Sequence, residues 1–138
     1  MISQITDNIF LGNYLDALKT YVDYDAILNM ASEVTYNDNP KSYLQINILD
    51  GFAFSNKIIN QCMDFLKEHD DIGHKILIHC VGGISRSPGI LICYLCIKNN
   101  WTIADSYQYI FKKRDIIDPA AAIIISIRDY LENKCPTN

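Results

Sequence analysis

The segment Lys75-Ile76-Leu77-Ile78-His79-Cys80-Val81-Gly82-Gly83-Ile84-Ser85-Arg86-Ser87 narrows the possible folds of this chain more than any other. An apolar, strand-like run enters a short loop with two glycines. A helix-like run, Pro88 to Ile97, leaves it. Strand, tight loop and helix N-terminus together form an anion site, because unpaired backbone N–H groups converge there and the helix dipole favours negative charge. Gly82 and Gly83 are expected to supply positive φ and close backbone approach. Arg86 adds a planar fork matched to phosphate oxygens. A cysteine at the floor of such a cradle is favoured as the nucleophilic thiolate. The chemistry expected of this combination is phosphate-ester cleavage through a phospho-cysteine.

The spacing Cys80-x5-Arg86 resembles the active-site loop of the cysteine-dependent protein phosphatases. The fuller string His79-Cys80-x-Gly82-Gly83-x-Ser85-Arg86-Ser87 is similar to the dual-specificity branch, whose pattern is HCxAGxSRS. Gly82 replaces the usual alanine, a departure expected to loosen the loop without removing a donor. The resemblance extends to Ile5–Ala17, Ala26–Ala31 and Ala104–Pro119. It implies a phosphate-binding loop of Val81, Gly82, Gly83, Ile84, Ser85 and Arg86, with Cys80 as nucleophile. The bland alternative, a buried structural cysteine before a helix, would leave Gly82, Gly83 and Arg86 unexplained.

A leaving alkoxide or phenoxide needs a proton as its bond to phosphorus breaks. Asp50 is the candidate acid. It follows an apolar run at a strand's C-terminal end, where active sites of open α/β sheets collect. Asp50-Gly51-Phe52-Ala53-Phe54 also resembles the family's general-acid loop. An ordinary turn aspartate is the competing explanation. Asp64, Asp70 and Asp71 are weaker rivals, on or after a helix. Phe52 and Phe54 either pack or wall the entrance to the pocket. On spacing alone Ser87 either caps backbone N–H groups or donates to the cysteine sulfur, and the resemblance favours the second role. His79 should face away from the pocket by strand alternation, ordering the loop rather than acting as a base. His69 and His74 are expected to be solvated in a polar connector.

The 138 residues suit a single domain, 1–138, with a core that needs neither metal nor disulfide. Strands are expected at 8–11, 25–29, 43–48 and 75–79. Helices are expected at 14–21, from a Ser55 cap, over 88–97, from a Thr102 cap, and from an Asp118-Pro119 start. In the helix after Thr102, Ala104, Tyr107, Ile110 and Phe111 are expected to face inward. This alternation implies an α/β fold with a central, largely parallel sheet flanked by helices.

Net charge is −4, from 12 basic and 16 acidic side chains, which argues against a nucleic-acid partner. Apolar stretches fall short of the ~20 residues that span a bilayer, so no membrane partner is expected. No signal peptide or lipid anchor is indicated. Cys62, Cys80, Cys93, Cys96 and Cys135 form no disulfide pattern, and Cys93-x-x-Cys96 reads as two small apolar residues in a buried helix. The pattern suits a reducing compartment, cytoplasmic or nuclear. No cofactor or metal is called for, and a monomer or weak dimer is expected, although the sequence carries no direct sign of oligomeric state.

The resemblance implies a phosphorylated protein as partner. With little room for the pocket-deepening loop of the tyrosine-specific branch, phosphotyrosine and phosphoserine or phosphothreonine are all expected to enter. Apolar Val81 and Ile84 argue against polyanionic head groups. A glycan, phosphoinositide or RNA 5′-phosphate is the alternative substrate. A phosphate-binding module without activity would require loss of Cys80 or Arg86, and both are present.

Overall fold

A computed structural model describes residues 1–134. The strands are β1 (Ser3–Gln4), β2 (Ile9–Gly12), β3 (Ala26–Asn29), β4 (Tyr43–Gln45) and β5 (Ile76–His79). The helices are α1 (Tyr14–Thr20), α2 (Asn56–Asp71), α3 (Arg86–Asn99), α4 (Ile103–Phe111) and α5 (Ala121–Lys134), with one 3₁₀ turn at Tyr21–Asp23. The sheet order is β1-β2-β5-β3-β4. All neighbours are parallel except β1, which runs antiparallel to β2. The expected α/β architecture is therefore present.

β5 lies at the centre because every residue in it is apolar or buried on both faces. Its alternation sorts the core. Ile76 and Ile78 point into the large core with Ile9, Leu11, Ala26 and Leu28, covered by α2, α3 and α5. Leu77 points to the other face, where Ala17 of α1, Ile27 and Tyr36 form a smaller cluster. α3 is buried from Arg86 to Cys96, which explains its lack of a polar stripe and the burial of Cys93 and Cys96 within it. Burial holds these thiols protonated: Cys93 is pushed up to about 12, while Cys62 and Cys96 are also raised. The four cysteines of the described residues are unpaired, and Cys135 lies outside those residues.

Two of the expected helix starts are present with their caps. Ser55 Oγ accepts from Ile58 N and Thr102 Oγ1 from Asp105 N. Other expectations need correction. The strand expected over 43–48 stops at Gln45, because β3, its sole neighbour, ends at Asn29; Ile46 N makes a last bond to Asn29 O at 2.8 Å. The last helix begins at Ala121 rather than beside Asp118. The Asp118 amide is taken by Ile84 O at 2.7 Å and the Ala120 amide by Ser85 Oγ at 2.9 Å. Both belong to the loop before α3, so the turn at 118–120 is shaped by tertiary bonds.

α4 turns differently from the expected face. Ser106 and Ile110 are buried, whereas Ala104 and Phe111 are exposed. Ser106 Oγ meets Cys96 Sγ at 3.2 Å, so a small polar residue marks the contact with α3. β1, two residues long, is too short to leave a period in the sequence. His69 and His74 are not simply solvated. His69 is buried on α2, and its Nδ1 lies 2.9 Å from Nδ1 of His74, with the two rings stacked.

Candidate active site

Each carbonyl of residues 79–84 has a hydrogen-bond partner, and all but that of Cys80 find it outside this segment. Met30 N donates to His79 O at 2.7 Å, Tyr14 N to Val81 O at 2.9 Å, and Asp118 N to Ile84 O at 2.7 Å. Cys80 O receives His79 Nδ1 at 3.1 Å. Arg114, buried behind the loop, donates Nε to Gly83 O at 2.9 Å and one terminal nitrogen to Gly82 O at 3.3 Å. The amides of Val81 to Ser85 donate to no other group among the described residues, which leaves them available to an anion. This is a preformed cradle for an anion.

Gly83 is the residue that the turn requires. Its φ is +67°, and a Cβ there would stand 2.6 Å from Gly12 O and 2.5 Å from Arg114. Gly82 does not share this role, because its φ is not positive. A Cβ at Gly82 would meet only the Ile84 side chain, at 3.2 Å. The expected positive φ therefore holds at one of the two glycines.

Cys80 lies at the floor, buried, with Sγ 3.2 Å from Ser87 Oγ on the first turn of α3. Buried Arg86 projects beside it. Its two terminal nitrogens bind Glu33 at 2.8 and 3.0 Å, and one also reaches Ile48 O at 3.0 Å. Arg86 Nε is buried without a hydrogen-bond partner, and its nearest acidic neighbour, Asp50 Oδ1, is 3.7 Å away.

Asp50 is 68% exposed, on the turn after the Ile46–Ile48 segment, beside Gly51 at φ +84°. Its loop is tied down at both ends. Ile48 O accepts from Arg86, and Phe54 N donates to Ser126 Oγ of α5 at 3.2 Å. Phe54 is buried in the core, which answers the packing-or-wall question for that ring, whereas Phe52 is 61% exposed beside Asp50. Of the rival carboxylates, Asp70 is occupied elsewhere: it takes Tyr94 Oη at 2.6 Å, Asn8 Nδ2 at 2.9 Å and Lys98 Nζ at 2.5 Å.

His79 points away from the cradle, as alternation predicts. Its Nδ1 donates to the Cys80 carbonyl, so Nε2 must accept from Tyr36 Oη, 2.8 Å away. Burial lowers it to about 4, leaving the ring neutral, and burial raises Tyr36, which keeps its hydroxyl a donor.

The structure thus brings Cys80, the 81–86 loop, Ser87 and Asp50 together. It also adds Glu33 and Arg114. Glu33 was hidden in the polar loop 33–41. Arg114 lies within the Ala104–Pro119 segment of the resemblance, which assigns it no contact.

Residues 9–133 match the family described as dual specificity phosphatase, catalytic domain. The chain belongs to that family. As a dual specificity phosphatase domain it is a phosphatase, of the protein phosphatase type. It is 36% identical over 134 residues to dual specificity protein phosphatase 1 of Arabidopsis thaliana, covering 92% of this chain and 67% of the plant protein. It is 26% identical over 132 residues to 123R of Invertebrate iridescent virus 6, a protein named as a tyrosine phosphatase, covering 93% and 90% of the two chains. Its fold superposes on the crystal structure of PTPMT1 in complex with PI(5)P with TM-score 0.84 at 17% identity, covering 96% and 95% of the chains. Among the described residues, no helix of this phosphatase domain is long and apolar enough to cross a membrane.

Proposed function

We propose that this domain hydrolyses phosphotyrosine and phosphoserine or phosphothreonine on proteins through a phospho-cysteine on Cys80. The observation that carries this reading is one juxtaposition. Buried Cys80 opens a loop whose amides at 81–85 donate to no group among the described residues, and buried Arg86, at the end of the same loop, has an unpartnered Nε.

The thiolate attacks phosphorus opposite the ester oxygen, forming the S–P bond as the P–O bond breaks. The loop amides and Arg86 hold the three other oxygens, where charge spreads in the transition state. Asp50 gives its proton to the departing oxygen. In the second step, Asp50 takes a proton from water as the water attacks phosphorus. The S–P bond breaks, inorganic phosphate leaves, and the returning sulfur charge receives the Ser87 hydroxyl hydrogen bond.

Exposed Phe52 walls the entrance on the Asp50 side, where it can lie against a phosphotyrosine ring. We read 1–138 as a single domain acting as a monomer or weak dimer on signalling phosphoproteins; the unpaired cysteines among the described residues support a reducing, cytoplasmic or nuclear compartment.

A second reading, a phosphoinositide, glycan or RNA 5′-phosphate as substrate, is less well supported. Val81 and Ile84 add no charge to the loop. Arg114, the cation packed behind the loop, spends its nitrogens on Gly83 O, Gly82 O, Met1 O and Ser3 Oγ. Four of its five donors are so engaged, which leaves it little capacity for a further phosphate. Phosphate release from phosphotyrosine and phosphothreonine peptides, compared with phosphoinositides and 5′-triphosphorylated RNA, tests the choice. Faster turnover of a non-protein substrate would reverse it.

A further inference from the structure

Helix α2 ends in a fully formed backbone stop. Ile72 is its cap residue, and Gly73 follows at φ +76°. Gly73 N donates to Asp70 O and His74 N to His69 O, both at 3.0 Å. These two bonds make a Schellman stop, in which His69 and His74 take the positions where two apolar side chains frequently touch. Here the touching side chains are imidazoles. His69 Nδ1 and His74 Nδ1 are 2.9 Å apart, with His69 buried and His74 half-buried.

A contact of that length between two ring nitrogens holds one proton: one nitrogen donates, and the other accepts through its lone pair. The neutral pair can take one extra proton on the free Nε2 of the donating ring and keep the contact. A second extra proton has only the accepting Nδ1 to go to. Two N–H groups would then point at each other between two cationic rings, so the contact must open.

The surroundings set the balance. Burial, the leading influence, holds His69 below the ordinary histidine range, and the second imidazole acts the same way. Glu68, whose Oε2 lies 3.7 Å from His69 Nε2, and Asp25 favour a single charge. The other charged groups nearby are engaged elsewhere. Asp70 accepts from Tyr94, Asn8 and Lys98, Asp71 pairs with Lys67, and Lys75 Nζ lies over the Phe10 and Tyr24 rings.

From this arrangement we propose that His69 and His74 make the end of α2 a proton-sensitive stop, closed while the pair carries at most one extra proton and opened by the second. The stop leads through Lys75 into β5, and Lys75 O accepts from Asp25 N and Ala26 N at 2.8 and 3.2 Å. Opening it frees the connector that enters the central strand, at the end opposite the phosphate loop.

The test is an NMR pH titration of the full chain, reading the ring nitrogens of both histidines and the backbone amides of Gly73 and His74. Above pH 7 wild type should show one protonated and one bare Nδ1 in the pair. The two extra protons should enter in steps at least about one pH unit apart, and both amides should shift with the second step. In His74→Gln, His69 should titrate in one step without that amide shift. His74→Phe puts an apolar contact at the stop, so its loss of denaturant midpoint from pH 7 to pH 5 should be smaller than that of wild type. The wild-type titration decides the matter even where a variant fails to fold. Two histidines that titrate independently would overturn the proposal, as would amides that ignore the second step. So would a pair that stays singly charged until the whole fold unfolds, or an equal midpoint loss in His74→Phe.

Discussion

Ser87 Oγ and Cys80 Sγ face each other across 3.2 Å, both buried, with the hydroxyl on the first turn of the helix that the cysteine's loop leads into. This hydroxyl has the sulfur as its hydrogen-bond partner among the described residues, and the sulfur accepts strongly once it is a thiolate. Its value is greatest when that sulfur leaves as an anion, in hydrolysis of the phospho-cysteine. Ser87→Ala is therefore expected to lower kcat by roughly 10- to 100-fold, the scale of one or two hydrogen bonds to a charged group. kcat/KM, which reports the first step, should change little. Stopped-flow with an aryl phosphate should show a burst of leaving group that the wild type lacks. A kcat/KM loss equal to the kcat loss would place Ser87 in the first step instead.

Asp50→Asn is expected to slow turnover of phosphotyrosine peptides by about 10²-fold or more, the scale of a lost general acid. For an aryl phosphate with a weakly basic leaving group the loss should be much smaller, since little protonation is needed. Steady-state kinetics over a series of leaving groups measures this. An equal loss across the series would make Asp50 structural.

Gly83→Ala tests the cradle's backbone. A Cβ at φ +67° would press on Gly12 O at 2.6 Å, and that carbonyl belongs to a buried strand that cannot yield cheaply. We expect a loss of roughly 2–4 kcal/mol from strain and overpacking, read as a lower midpoint of denaturant unfolding, together with loss of phosphate binding. Gly82→Ala meets only the Ile84 side chain and should stay within about 1 kcal/mol of wild type.

His79 makes stability pH-dependent with a definite sign. Its folded value of about 4 lies below the usual 6.5, so between those values the unfolded chain binds more protons than the folded one. Stability should therefore rise with pH from 4 to 6.5 and be fully present above that window. The contribution is roughly 3 kcal/mol, taking 1.36 kcal/mol per unit. His69 is also lowered by burial and acts in the same direction. Chemical denaturation at pH 5 and 7 should show a smaller difference for His79→Gln than for wild type. An unchanged difference would mean that His79 is not held neutral.

Much of this site was legible because the chemistry lies on contiguous residues. Cys80, Gly83, Arg86 and Ser87 are placed by one strand, one turn and one helix start, and β5 alternation alone sends His79 to the opposite face. Asp50 was readable as the candidate acid from the apolar run before it, although the strand itself stops at Gln45 and Asp50 sits on the turn beyond. What escaped was set by tertiary partners. Glu33 is one charged residue in a polar loop, and only the side chains of Asn29 and Gln45 bring it to Arg86. The start of α5 moved to Ala121 because Ile84 O and Ser85 Oγ capture amides that a local cap would have left free. His69 and His74 read as polar connectors, yet α2 extends through His69 and buries its ring.

The most direct test of the account is to find the phosphoryl group on sulfur. Ser87→Ala protein, mixed with a phosphotyrosine peptide and quenched in acid within one turnover, should yield a Cys80 peptide heavier by one phosphoryl group on mass spectrometry. The same protein carrying Cys80→Ala should show neither the adduct nor turnover. Persistent phosphate release by the Cys80→Ala chain, or turnover with the phosphoryl group trapped on any other residue, would contradict the account.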